Sequence, residues 1–516
     1  MDQKNITFAI TVLVVILASV FLGSAVGQNN QTVAISAIAV IVVCVLLASM
    51  GQRIWVLIPI FATWTQKSPV LPLPFSLANL TVLLAFSVWA LGVAVRRSDW
   101  SFRLNRFDFV LALTLALLAV GYFRNPVSIQ ALASGGDVGG RPYAEVVIAV
   151  MAYVVLSGMN SHAKLVESIP KWIIISSSVL AVGGAIAVFI PQAGVFLYQF
   201  YAGFKPDMRD FMDPYAIQSG IGKAGYVRPL AFALTAFVGA KCHPVKLLQP
   251  QNFWLVCLLM LGGVLGALTG FRSALIAVGF YLVAASWFWM RSAGVILCGF
   301  AGICFTLLLI SFQSIVPLPQ KVQRSLSFLP GDWDSRVVAE GQGTLDWRLD
   351  LWETVLYGDN IQNWAIGDGF GFPQSELEYF GALQMSGQIL PHQLAEYYLI
   401  TGGLHSGPLS AAKFTGIAGL VLYLVLAIMV FKGYSRLWKW LSHYPMLSGL
   451  RFPVGFFGTF AVYVPFKFIF VYGAYDKDIP VLIVSAGIYR LIASVVRREI
   501  GEQDDLMEAE ATPVAG

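Results

Sequence analysis

Long apolar runs separated by short polar segments recur along this chain of 516 residues. A run of about 18 or more apolar residues can cross the hydrocarbon core of a bilayer as a helix. The runs predict fourteen spans, at 8–27, 33–51, 54–66, 76–96, 108–123, 143–160, 170–192, 226–243, 253–270, 272–290, 293–312, 414–432, 452–472 and 479–496. The run at 54–66 is short. If it is a re-entrant segment that does not cross the membrane, the number of crossings is lower. The sequence therefore predicts an all-α polytopic membrane protein with about 12–14 transmembrane helices.

Basic residues in the short loops indicate the orientation. They fall on alternate loops, namely Arg53; Arg96, Arg97, Arg103 and Arg106; Lys164 and Lys171; Lys241 and Lys246; Arg291; Lys432, Arg436, Lys439 and Arg451; Arg497 and Arg498. The positive-inside rule makes this face cytoplasmic, with both termini inside. The alternation requires that 54–66 crosses the membrane.

One long polar stretch, 313–413, precedes the last three spans and is predicted to lie outside the cytoplasm. It carries four tryptophans and contains "TLDWRLDLWETVL", in which Leu345, Leu349, Trp352 and Leu356 recur at helical spacing. This spacing predicts a mostly helical cap with an amphipathic helix. The chain is accordingly divided into 1–225 and 226–312 (transmembrane helices), 313–413 (cap), 414–498 (last spans) and a disordered acidic tail, 499–516.

Composition narrows the function classes. Hydrophobic residues make up 57% of the chain and charged residues 12%, which excludes a soluble globular protein of this size. The formal charge of +5 comes without a basic stripe, so nucleic-acid binding is not expected. The five cysteines lack metal-site spacing, and no inverted repeat typical of secondary transporters is evident. A transporter or flippase is the less favoured class, because mid-span ionisable residues are few and Lys467 is the main candidate.

Topology selects among the five histidines. His162, His243 and His443 fall in the cytoplasmic loops, which leaves His392 and His405 on the outer side. A histidine is the natural general base for a hydroxyl acceptor, and this role stays open for both residues at this point. The alternatives are that His405 caps or hydrogen-bonds within the loop and that His392 is structural.

Three arginines are predicted at the outer membrane face. Arg272 begins a span in "TGFRSA", Arg348 lies in "WRLDLW", and Arg228 begins an earlier span. Converging guanidinium groups suit a diphosphate, because each can bind phosphate oxygens in bidentate fashion. Taken singly, Arg228 and Arg272 could instead contact lipid headgroups, and Arg348 could form an ion pair with Asp346, Asp350 or Glu353.

Two further motifs lie in the cap. Gly367, Gly369 and Gly371 alternate in "GDGFGF", which predicts a turn that either approaches a ligand closely or is simply structural. Asp332 and Asp334 resemble the Asp-x-Asp metal motif of many glycosyltransferases, although such pairs are common by chance. No metal site and no cofactor are expected.

Read in order, "TGFRSA", "WRLDLW", "GDGFGF" and "HSGPLSAAKFTGIAG" resemble the motifs of the bacterial O-antigen ligase and polysaccharide polymerase superfamily. The likeness covers about residues 228–431 and includes the large periplasmic loop late in the chain. It implies a multi-pass protein of the bacterial inner membrane with a periplasmic active site. His405 would be the catalytic base, and Arg272, Arg348 and Arg228 would bind the diphosphate.

The resemblance also implies an inverting, metal-independent glycan transfer from an undecaprenyl-diphosphate-linked donor. The acceptor would be a glycan or a lipid-linked glycan, as in polymerisation of O-antigen or exopolysaccharide repeat units. Ligation onto lipid A-core, or transfer onto a protein hydroxyl, shares these motifs and stays open. Partners expected from this reading are the bilayer and, as possible neighbours, a chain-length regulator or a flippase.

Overall fold

The computed structural model describes residues 50–69, 75–94, 104–127, 139–204, 224–371, 398–399 and 402–511. Within these ranges the chain is helical, and its one strand-type pairing is an isolated bridge between Lys67 and Ser76. The helices are α1 Leu57–Phe61, α2 Leu77–Ala94, α3 Arg106–Arg124, α4 Gly140–Gly158, α5 Ala163–Phe189, α6 Pro191–Phe200, α7 Arg228–Lys241, α8 Phe253–Leu268, α9 Arg272–Met290, α10 Ser292–Ile315, α11 Gln320–Leu326, α12 Ser335–Tyr357, α13 Gly407–Leu441, α14 Ser448–Phe466 and α15 Tyr475–Ala511.

The prediction of an all-α polytopic membrane protein is confirmed. In the described part of the chain, 10 helices are long and apolar enough to cross a membrane, and each falls on a predicted span. They are helical because a chain in lipid must satisfy its backbone hydrogen bonds within each segment. The predicted spans 8–27 and 33–51 lie outside the described residues. The predicted span 54–66 is a 3₁₀ helix, Gly51–Val56, followed by the short α1, and is not one of the ten.

Helix α7 is short but runs from one face of the bundle to the other. Its 14 residues give a length of about 21 Å. At its amino end, the backbone N–H of Ala224 donates to the carbonyl of Thr269 beside the start of α9, at 3.2 Å. Beyond its carboxyl end, the ring of His243 contacts that of Trp289 near the end of α9, at 5.7 Å. The predicted span 226–243 therefore corresponds to a crossing shorter than the hydrophobic core is thick.

Successive helices alternate in direction and define two ends of the bundle. The loop face is the end marked by Arg124, Arg272 and Gly407, and the basic face is the end marked by Arg106 and Arg436. Helices α11 and α12 lie in the segment between α10 and α13, which connects at the loop face. The core is formed largely by α4, α13, α14 and α15, whereas none of the most apolar 18-residue stretch of α10 is buried.

Helix α13 is broken near its start, and α15 continues beyond its span. At Gly416 the backbone is non-helical (φ 67°, ψ −172°), so Gly407–Thr415 is a short helix distinct from the membrane-spanning part that follows. Helix α15 extends to Ala511 and so includes residues 499–511 of the predicted tail. Four Glu and two Ala in this stretch are good helix formers and allow the helix to continue.

Candidate functional site

Helix α12 packs through a different stripe from the one predicted. Leu351 and Val355 are buried in a small cluster with Ile361 and Leu404, and Trp347 packs against it. The predicted stripe is largely exposed, with Leu345, Leu349 and Leu356 at 54%, 49% and 48%. Both stripes are apolar at helical spacing, so periodicity alone does not identify the packed one. The packed stripe brings Trp347, and with it the neighbouring Arg348, next to the segment that precedes α13.

His405 lies two residues before α13, in contact with two aromatic rings. Its ring centroid is 5.8 Å from that of Trp347 and 5.5 Å from that of Tyr398. The Trp352 Nε1–H donates to the carbonyl of Leu404 at 2.7 Å, which anchors the preceding residue to α12. The helix cap is Ser406, without a side-chain hydrogen bond. His405 therefore does not act as the cap of α13.

The backbone of His405 adopts a left-handed conformation, with φ of 51°. Such a conformation is disfavoured for residues with a Cβ and persists where the surroundings enforce it, often at functional sites. Burial, together with the positive charge of Arg348, lowers the pKa of His405 from its ordinary value. The imidazole is thus neutral at pH 7 and has a lone pair available to accept a proton.

Arg348 lies close enough to His405 and to Arg272 for their charges to interact. Burial lowers the pKa of Arg348, and the charge of Arg272 lowers it further, but a guanidinium stays charged at neutral pH. Its Nε is buried and has no hydrogen-bond partner among the described residues. Arg348 makes no ion pair with the nearby acidic residues of α12 (Asp346, Asp350 and Glu353). A buried guanidinium N–H without an acceptor is unusual and suits an anionic ligand.

Arg272 is held at the start of α9 by the segment around α11. Its Nη2 donates to the hydroxyl of Ser327 at 2.7 Å, and its Nε to the carbonyl of Arg324 at 3.4 Å. The hydroxyl of Ser325 in turn donates to the carbonyl of Ala267 at the end of α8, at 2.9 Å. These bonds orient the Arg272 guanidinium beside Arg348. The structure thus brings together two of the three predicted arginines with His405.

Arg228 is next to this group, across an aromatic ring. Its guanidinium carbon lies 5.9 Å from the ring centroid of Phe271, the residue before Arg272, and 6.0 Å from that of Phe232. Cation–π contacts of this kind hold a guanidinium over a ring without using all of its N–H groups. Arg228 is therefore at the loop face, with a stabilising contact to Phe271 that the sequence alone did not reveal.

The three alternating glycines contact protein backbone. A Cβ on Gly367 would lie 2.3 Å from the Thr415 nitrogen, and one on Gly371 would lie 2.5 Å from the Asn125 side chain. A Cβ on Gly369, which has φ of 78°, would lie 2.8 Å from the carbonyl oxygen of Gly121. Hydrogen bonds run from Asp368 and Gly369 N–H to the carbonyls of Lys413 and Phe414, at 2.7 and 3.0 Å. These contacts account for the glycines without a ligand.

The same segment completes the backbone hydrogen bonding at the break in α13. The N–H groups of Ile417 and Ala418 donate to the carbonyls of Trp364 and Ala365, at 2.8 and 3.1 Å. From α3, the Arg124 guanidinium donates to the carbonyl of Gly367 at 2.8 Å. We call residues 363–371 the glycine clamp, because they fasten the cap to α3 and to the break at Gly416.

One residue of the acidic pair in the cap, Asp334, has a structural role. The carboxylate of Asp334 caps α12 by accepting from the N–H of Arg336 at 2.9 Å, while the side chain of Asp332 is exposed. Among the described residues no group of three His, Cys, Asp or Glu side chains is clustered as a metal site. His392 lies outside the described residues.

Two ion pairs that are largely shielded from solvent were not predicted. Asp108 of α3 accepts hydrogen bonds from Arg490 of α15 at 2.9 Å and from the hydroxyl of Tyr153 of α4 at 2.7 Å. Lys467, expected in mid-span, instead begins the π-helical turn after α14 at the loop face, where it pairs with the buried Asp478. Charged residues inside predicted spans (Lys467, Arg490) or at their edges (Asp108, Asp478) were the available signal, but sequence does not reveal which spans are neighbours.

Comparison of this chain with protein-family models, with curated proteins and with solved structures finds no match. The functional argument therefore depends on the residues at the loop face.

Proposed function

We propose that this chain is an integral-membrane glycosyltransferase of the O-antigen ligase and polymerase type. It would act at the periplasmic face of a bacterial inner membrane on an undecaprenyl-diphosphate-linked glycan. The observation that carries the proposal is the buried Nε–H of Arg348, which has no acceptor among the described residues and is adjacent to Arg272 and His405. Two guanidinium groups beside a neutral imidazole form a set that binds a diphosphate and accepts a proton.

The arginines would act on the leaving group. As the bond between the anomeric carbon and the diphosphate oxygen breaks, negative charge develops on the diphosphate, and Arg272 and Arg348 neutralise it. Because Ser327 already holds Arg272, little reorganisation is needed when this charge develops. Arg228, on the far side of Phe271, adds a third positive charge at the edge of the site.

His405 would act on the acceptor. Its neutral imidazole accepts the proton of the acceptor hydroxyl while that oxygen attacks the anomeric carbon from the side opposite the diphosphate. One displacement inverts the anomeric configuration and needs no enzyme nucleophile. The donor carries its own good leaving group, so the paired carboxylates of glycosidases are unnecessary. The reaction is proposed to proceed without a metal ion.

The acceptor determines which member of this class the chain is. A glycan acceptor that is itself lipid-linked gives polymerisation of repeat units, which is the reading favoured here. A lipid A-core or protein hydroxyl acceptor gives ligation by the same chemistry. A flippase or chain-length regulator would act beside the chain, before or during the transfer.

Transfer can be tested with membranes that contain the full chain and a lipid-diphosphate-linked glycan extracted from cells lacking this protein. The reaction is run with EDTA, and the products are separated on a gel. We expect a ladder for a polymerase, or one shifted band on an added lipid acceptor for a ligase. His405→Ala should lower the transfer rate by about 100-fold or more, the usual effect of removing a general base.

A matched control separates chemistry from folding. His443→Ala changes an exposed histidine at the basic face, remote from the loop face, and should retain the wild-type rate. Arg348→Lys keeps the charge but loses the planar fork, so it should weaken transfer more than the control does. Full activity of His405→Ala, or loss of the wild-type reaction in EDTA, would contradict the proposed mechanism.

A further inference from the structure

A basic cleft opens at the basic face, at the other end of the bundle from His405. It has a volume of about 1100 Å³ and lies between α3, α4, α13 and α15. Six basic side chains line it, and none of its described lining residues is acidic. They are Arg106, Lys432, Arg436, Arg490, Arg497 and Arg498.

The charges of this cleft are only partly neutralised within the protein. Arg490 is occupied by Asp108, as described above. Arg106, Lys432, Arg436 and Arg497 are exposed, and none of these four forms an ion pair with a described residue. Four like charges around one cavity repel each other, and a bound anion would relieve that repulsion.

The wall formed by α13 changes from apolar to basic along one stripe. Val425, Ile428 and Met429 line the cleft towards mid-membrane, and Lys432 and Arg436 follow at the membrane boundary. Spacings of three and four residues keep these side chains on one face of the helix. Ile428 is 52% exposed, so the apolar part of the wall is open to a hydrocarbon chain.

We propose that this cleft binds the phosphate of an anionic phospholipid in the leaflet opposite the His405 site. The phosphate contacts Lys432 and Arg436 from one wall and Arg106 and Arg497 from the other, and an acyl chain follows the apolar stripe of α13. A soluble phosphate or diphosphate shares the headgroup chemistry, but it makes no use of that stripe. The positive-inside rule assigns this leaflet to the cytoplasm, where anionic lipids attract basic side chains.

The binding can be measured on the purified full-length chain in neutral detergent. Native mass spectrometry gives apparent dissociation constants for phosphatidylglycerol and for phosphatidylcholine with the same acyl chains. We expect clearly tighter binding of phosphatidylglycerol. The double variant Lys432→Gln/Arg436→Gln should weaken it about 30-fold, from roughly fivefold for each charge. Lys439→Gln is the matched control, since Lys439 is exposed on the same helix but does not line the cleft; it should change binding less than twofold.

Two further arms determine the source of the phosphate and guard against a folding defect. Inorganic phosphate and diphosphate are added at millimolar concentration as competitors. If phosphate and diphosphate do not displace the lipid, the proposal is supported. If they displace it at the concentration at which they bind to the lipid-free protein, the proposal is overturned. Arg106→Gln/Arg497→Gln, on the opposite wall, should weaken binding as strongly as the first pair. Equal binding of the two lipids, or wild-type affinity in both double variants, also overturns it.

Discussion

Substitution of Gly367 by alanine tests the glycine clamp, on which the outer part of the candidate site depends. The new Cβ would lie 2.3 Å from the Thr415 nitrogen and 2.4 Å from the Phe414 carbonyl carbon, so the backbone must move apart. Gly367 also has φ of 73°, a backbone conformation that is about 1–2 kcal/mol less favourable for a residue with a Cβ.

The structure allows the total loss to be worked out. Relieving the clash at Phe414 and Thr415 in the docked form breaks the two hydrogen bonds next to it, from Asp368 and Gly369 to Lys413 and Phe414. Each is worth about 1 kcal/mol net. Together with the conformational term, the docked clamp should be destabilised by about 3–4 kcal/mol, which raises the population of the undocked form by about two to three orders of magnitude.

Limited proteolysis of the protein in detergent measures this population, because cleavage follows the open form when opening and closing are fast. Cleavage within the clamp should accelerate by about two to three orders of magnitude in Gly367→Ala. Gly263→Ala is the matched control: Gly263 lies within α8, and a Cβ there would have no heavy atom within 4 Å. A proteolysis rate for Gly367→Ala equal to that of Gly263→Ala would refute the role of the clamp.

Three other predictions concern charge and strain. Since His405 must be neutral to accept a proton and its pKa is lowered, kcat/KM should rise with pH along an acid limb centred below 6.5. Arg348→Gln removes a positive charge, so the residual activity of this variant should show the acid limb shifted to higher pH. An unchanged limb would mean that Arg348 does not influence the pKa of His405. His405→Gly should abolish transfer yet raise the free energy of unfolding by about 1 kcal/mol, because glycine accepts the left-handed backbone; a clear loss of stability would mean a structural histidine. Asp108→Asn removes the carboxylate that Arg490 contacts and should destabilise the bundle by about 3–5 kcal/mol in SDS titrations, whereas an unchanged transition would mean that the pair contributes little.

Much of the fold follows from the sequence because the bilayer imposes a length on every crossing. The ten helices found are those predicted from apolar runs, since a run long enough to span has few other structures available in lipid. The alternation of basic loops also reduced five histidines to two predicted outer ones, His392 and His405. Both inferences use only the order of apolar and basic residues along the chain.

What the sequence could not supply is the identity of neighbours. On α12, two apolar stripes compete, and only the position of Leu404 determines that Leu351 and not Leu349 is buried. Gly367 was predicted to sit in a turn, but its partner is the break in α13, which lies about 50 residues away in sequence. Likewise, the contact of Asp108 with Arg490 joins residues 382 positions apart. Such pairings depend on the order in which helices pack, which no local pattern encodes.

The break at Gly416 has a mechanical consequence. A helix interrupted near a membrane boundary would ordinarily be a hinge, with its two halves free to swing apart. Here the backbone groups released by the break are tied to Trp364, Ala365, Asp368 and Gly369. Asp368 and Gly369 bond to the outer half, whereas Trp364 and Ala365 bond to the inner half. The clamp, which is also bonded to Arg124 of α3, therefore braces the break from both sides and fixes the outer half-helix relative to the bundle. Any swing of the outer half-helix, which begins two residues after His405, requires the clamp to detach from one side of the break.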